Sequence, residues 1–215
     1  MSFLQQLKQQ ARSLQSQQDE CRQSLDANVQ VTELACRRVA DYLGELPRQL
    51  NVIEPAVVPL SLDGRAHWPP MKQVEFRSDV RKKRFMDREV IDYVALGWRV
   101  VPAQGSPVMM TVGVNFPPDL ERVERRLSAG HVPHQRREQR HPQTNRLQML
   151  FFDHETVAKA SVLVTPDHEA GTVAFRLGCV QGLDIVTTTY PAAAVTTERM
   201  DELARLIVGQ PSRFV

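Results

Sequence analysis

Between Lys72 and Val101 the chain reads KQVEFRSDVRKKRFMDREVIDYVALGWRVV. Val74, Phe76, Ser78 and Val80 alternate with charged residues. In a second run, from about Glu89, Val90, Val94, Leu96, Trp98 and Val100 keep to one side. A period of two is that of a half-buried β-strand. Asp87-Arg88 separates the runs, and strands joined by so short a link must pair antiparallel, because a parallel pair needs a long crossover. An antiparallel sheet is the expected centre of the fold.

Downstream, a third strand is expected from Pro107 to Phe116, then a helix opened by Pro117-Pro118-Asp119 and running to Leu127. Leu120, Val123 and Leu127 share one face of it, and Gly130 is a suitable terminator. Residues 131–145 hold Val132 as their one aliphatic side chain, so they read as an exposed, mobile loop. Four further strands are expected over Arg146–Asp153, Val157–Thr165, Thr172–Val180 and Leu183–Tyr190. A last helix from about Thr196 to Val208 turns Met200, Leu203, Leu206 and Ile207 inward. Thr196 or Thr197 would cap it, and Gly209 and Pro211 stop it. The expected class is α+β, with a mainly antiparallel sheet of about seven strands and two helices on one face.

Upstream the period changes. Leu4, Leu7, Ala11, Leu14, Cys21 and Leu25 recur at three and four residues, and Ala35, Val39, Tyr42 and Leu46 continue the register. That is a helical seam with a heptad repeat. Ser2 is a suitable cap. Gln18, Asn28 and Thr32 fall on the seam, so two shapes satisfy the pattern. One is a single helix of about 70 Å at ~1.5 Å per residue; the other is a helical hairpin turning near Asn28. Pro47 is expected to end the helix. The organisation is then a coiled-coil-like segment over 1–50, a proline-rich connector over 51–71 and an α+β domain over 72–215. Residues 29–46 have a broad apolar face suited to their own domain. Residues 2–25 have a narrow seam suited to a partner helix.

Composition narrows the class. Hydrophobic residues make up 42% and charged residues 24% of the 215, as in an ordinary soluble domain. The apolar stretch Val100 to Asn115 is broken by Pro102, Gly105 and Pro107, too short for a membrane span. The Gln-rich start offers no apolar signal core. Three scattered cysteines without a CxxC pair fit a reducing compartment, so a cytoplasmic location is expected.

Candidate chemistry is sparse. The basic strip Arg81, Lys82, Lys83 and Arg84 could join Arg136, Arg137 and Arg140 in contacting an anionic partner, so nucleic-acid binding through 81–88 and 136–146 is one alternative. The same charges on an edge strand would guard against aggregation. His131-Val132-Pro133-His134 carries a proline that prevents helical i, i+4 metal ligation, so no metal or cofactor site is expected. His154 and His168, each between two acidic residues, read as turn chemistry. Asp92 alone interrupts the apolar side of the second strand, and Cys179 reads as a small core residue. No GxSxG, GxGxxG or P-loop pattern occurs, so no catalytic residue is assigned.

The expected function is therefore non-enzymatic. An interaction or assembly protein would self-associate or dock a protein partner through Leu4, Leu7, Ala11, Leu14 and Leu25. A second alternative is a small-molecule binder or enzyme with a pocket between sheet and helices.

Overall fold

The computed structural model describes residues 3–215, with residues 4, 6, 7, 11 and 13 described by their backbone alone. The architecture is α+β. A 51-residue helix, α1 (Phe3–Ile53), precedes β1 (Met71–Phe85), β2 (Arg88–Pro102), β3 (Met109–Val114), α2 (Pro117–Ala129), β4 (His134–Arg140), β5 (Leu147–Glu155), β6 (Ala158–Asp167), β7 (Thr172–Gly178), β8 (Ile185–Pro191) and α3 (Thr197–Ile207). The expected cap, Ser2, lies outside the described residues.

The strands form two sheets rather than one of about seven. A five-stranded sheet has the order β1-β2-β6-β7-β8, and a three-stranded sheet has the order β3-β5-β4. Every pairing is antiparallel. The eighth strand, β4, comes from the segment expected to be a mobile loop. All seven of its side chains are exposed, so hydrophobic periodicity carries no trace of it. Backbone pairing with β5 from His134↔His154 to Arg140↔Leu147 holds it instead.

Helix α1 is continuous, so the hairpin alternative at Asn28 is not formed, and Pro47 sits inside the helix rather than ending it. Proline removes one helical hydrogen bond and crowds the preceding turn. Contacts beyond it offset that cost. Leu50 is buried, and the Asn51 carboxamide bonds both backbone groups of Phe76. Phe76 lies at a β-bulge in β1, where the register shifts between Val74 and Arg77 and Glu75 has a φ of 59°.

From Val29 onward α1 lies on the five-stranded sheet. Val39, Leu43, Leu96, Phe175, Met200 and Leu203 fill the space between α1, α3 and the sheet, each 0% exposed. Burial of such side chains stabilises by about 1.5–3 kcal/mol apiece. The four inward residues expected of α3 are buried, and Thr196 Oγ1 caps it by accepting from Arg199 N at 3.3 Å. The proline-rich connector contributes Leu60, Leu62 and Trp68 to the same core.

Candidate functional site

The contacts that anchor α1 near the sheet rim begin at Asp26. Arg88 Nη2 donates to Asp26 Oδ1 at 2.9 Å, and Asn28 Nδ2 donates to the Glu169 carbonyl at 2.8 Å. Val29 is the first buried residue of the helix among the described side chains. Upstream, every described side chain from Phe3 to Ser24 is exposed, Phe3 by 74% and Leu14 by 59%. Residues 3–24 thus project from the body as about 33 Å of helix at ~1.5 Å per residue.

The register of the seam fixes the direction this projecting face takes. Leu14, Gln18, Cys21, Leu25, Asn28, Thr32, Ala35 and Val39 follow one another at alternating intervals of four and three. The last three are buried against the sheet. A heptad repeat drifts by only ~20° per seven residues on a straight helix. The seam of residues 14–25 therefore lies on the same face that packs on the sheet, and continues past the sheet's rim. Leu14 is open, Leu25 is half-buried, and the side chains of Leu4, Leu7 and Ala11 lie outside the described residues.

At the root of the projection three elements meet. Glu33 Oε1 accepts from Ile91 N at 2.7 Å and lies 3.1 Å from His168 Nε2. His168 also stacks on Phe85 at 5.7 Å. His168 stands in the β6–β7 turn as expected, and its buried ring also joins that turn to α1. Beside it, Val29, Glu33, Leu34, Arg88 and Val90 line a surface cleft of about 460 Å³. Leu34 is 62% exposed on its flank.

The turn reading of His154 is corrected. It belongs to β5, fully buried, and its Nε2 accepts from Trp68 Nε1 at 3.2 Å. Burial holds its pKa below the usual 6.5. The turn expected there falls at Thr156-Val157 instead. Asp92 is the residue skipped where the β1–β2 register shifts, since Arg81 faces Tyr93 and Lys82 faces Ile91. Its carboxylate is half-buried and pairs with Lys83 at 3.1 Å. Cys179 is buried just beyond β7, with burial raising its thiol to about 12.

The basic residues singled out by sequence are mostly neutralised within the chain. Lys82 pairs with Glu89 at 3.0 Å, Lys83 with Asp92, and Arg84 with Asp87 at 3.6 Å. Arg136 pairs with Glu124 at 3.5 Å and Arg140 with Glu138 at 2.7 Å. Arg137 clasps Asp153 and, together with Thr111, holds that carboxyl down at about 2. Arg81 faces Tyr93 across the hairpin. The strip 81–84 lies in the five-stranded sheet and 136–140 in the three-stranded one, so the two groups do not form one strand-borne stripe.

No described helix is long and apolar enough to cross a membrane. No protein-family model, curated protein or solved structure matches the chain.

Proposed function

We propose that the chain is a non-enzymatic assembly protein whose projecting N-terminal helix pairs with the same segment of a second copy. The observation that carries this reading is that every described side chain from Phe3 to Ser24 is exposed, Leu14 and Cys21 of the seam among them. An isolated helix of this length is marginal in water, and burial of Leu14 and its seam neighbours against a second helix would offset that weakness.

Charge placement favours parallel pairing. With Leu4, Ala11, Gln18 and Leu25 at a and Leu7, Leu14 and Cys21 at d, the e positions are Lys8, Gln15 and Arg22, and the g positions are Gln10, Gln17 and Ser24. An antiparallel pair centred on Gln15 sets e against e, opposing Lys8 to Arg22 of the other copy. A parallel pair sets g against e, so Gln17 meets Arg22 without repulsion. Gln18 in the seam costs stability and helps fix register. The unpaired thiols fit a reducing, cytoplasmic setting.

Sedimentation equilibrium of the full chain tests the reading. A mass approaching twice the 24.4 kDa chain at high concentration, and a monomer for Leu14→Glu with an unchanged circular dichroism thermal transition of the body, is the expected result. A wild-type monomer at every concentration would end the self-association reading.

A further inference from the structure

The face of the five-stranded sheet turned away from α1 carries a charged trough. Along the strands Leu96, Trp98, Val162, Ala160 and Leu177 are buried, so the alternate residues form the opposite face. One row of cross-strand partners runs Arg77↔Gly97, Gly97↔Ser161, Ser161↔Gly178. Three small residues thus floor the middle of the sheet, and Arg77 closes one end. The neighbouring row on one side is Arg99↔Lys159, and on the other Arg176 faces Leu163. Ser128 and His131, at the end of α2, form a wall, tied to β6 where Lys159 N donates to the Gly130 carbonyl at 2.7 Å. The open trough has a volume of about 500 Å³.

The cations around this floor are poorly compensated. Arg99 pairs with Glu75 at 2.9 Å. Among the described residues, no carboxylate lies within ion-pair range of Arg77, Lys159 or Arg176. This contrasts with the 82–84 strip and β4, whose cations all have acidic partners. Strands lie about 4.8 Å apart, so Arg77 and Gly178 are separated by ~14 Å across the floor. Flexible side chains at the edges can converge on anionic groups spread over that span. A glycine and serine floor lets such groups approach the sheet without meeting bulk.

We propose that this trough binds a small polyanion carrying two or more phosphate groups. A phosphate offers several acceptor oxygens and engages more than one cation, which matches four basic side chains drawn from four strands. A nucleic-acid strand is the less favoured occupant. Trp98, the one Phe, Tyr or Trp side chain at the trough, is buried and stacked on Phe76, which leaves the His131 ring as the single aromatic face open there, short of the successive platforms a strand of bases uses.

Titration calorimetry of the full chain with inorganic phosphate, pyrophosphate and tripolyphosphate at low ionic strength tests the proposal. Affinity should rise along that series and weaken with added salt. The triple variant Arg77→Gln/Lys159→Gln/Arg176→Gln should lose about a hundredfold in tripolyphosphate affinity with an unchanged melting temperature. Lys82→Gln/Lys83→Gln should bind as wild type. Ser161→Glu, which sets a carboxylate in the floor, should abolish binding independently of the triple variant. Absent tripolyphosphate binding, or equal binding by the triple variant, overturns the proposal. So does an oligonucleotide that binds through these residues while tripolyphosphate does not.

Discussion

Asn51 closes both backbone polar groups of Phe76: its Nδ2 donates to the carbonyl at 3.1 Å, and its Oδ1 accepts from the amide at 2.7 Å. The bulge at Glu75 diverts those groups from the β1–β2 ladder, and the last turn of α1 supplies the replacement partner. One carboxamide thereby anchors the helical turns beyond Pro47. Asn51→Ala should destabilise by about 1–3 kcal/mol, the usual cost of leaving such groups unpaired. Asn51→Asp keeps the acceptor alone and should fall between. Denaturant unfolding measures both; an Asn51→Ala midpoint equal to wild type would remove this anchor from the account.

The helix, the antiparallel pairing and the inward face of α3 were legible because each is a periodic burial pattern. Leu96, Trp98 and Val100 alternate with residues of the open face, and Met200, Leu203 and Ile207 recur at helical spacing. β4 was not legible, since HQRREQR has no apolar residue to repeat. The helix beyond Pro47 was missed because a local proline rule cannot register Asn51 bonding to a strand 25 residues away. The trough was missed for a related reason. Arg77, Arg99, Lys159 and Arg176 stand singly in sequence, and only the strand order β1-β2-β6-β7 brings them together.

His154 couples stability to pH. Its buried imidazole has a pKa below 6.5, so the native state favours the neutral ring that accepts from Trp68. Below pH 6.5 the unfolded chain takes up a proton that the native chain resists. Stability should be fully present above pH 6.5 and decline as pH falls toward the lowered folded value. His154→Gln retains an acceptor but cannot titrate there, so the melting temperature should vary less between about pH 7 and 5, by about the slope one proton contributes. An undiminished slope in that variant would locate the pH dependence elsewhere.

Glu33 controls the root of the projecting helix. Its Oε1 accepts from Ile91 N and faces His168, uniting α1, β2 and the β6–β7 turn. Glu33→Ala should cost about 2 kcal/mol, within the range for a hydrogen bond to a charged group. Glu33→Gln, which keeps an acceptor, should cost less. Hydrogen exchange at the Ile91 amide is the local readout. It should accelerate in Glu33→Ala more than amides of β7 do, and a uniform change across the sheet would show that the effect is global.

Thiol chemistry reports the geometry of the proposed helix pair. Cys21 is exposed on the seam, whereas Cys36 and Cys179 are buried with thiols raised to about 12. A buried protonated thiol is a poor nucleophile, so oxidation should select Cys21. In a parallel, in-register pair Cys21 occupies the same d layer in both copies, within reach of a disulfide whose Cα atoms are usually about 5.5–6 Å apart. In an antiparallel pair centred on Gln15 the two Cys21 residues lie six positions on either side of the centre. That separates them by about 18 Å at ~1.5 Å per residue, too far to bridge. Mild oxidation should therefore give a covalent dimer on non-reducing gels for the parallel pair. The dimer should vanish in Cys21→Ser and diminish in Leu14→Glu, while a sedimentation dimer that resists cross-linking would point to antiparallel helices.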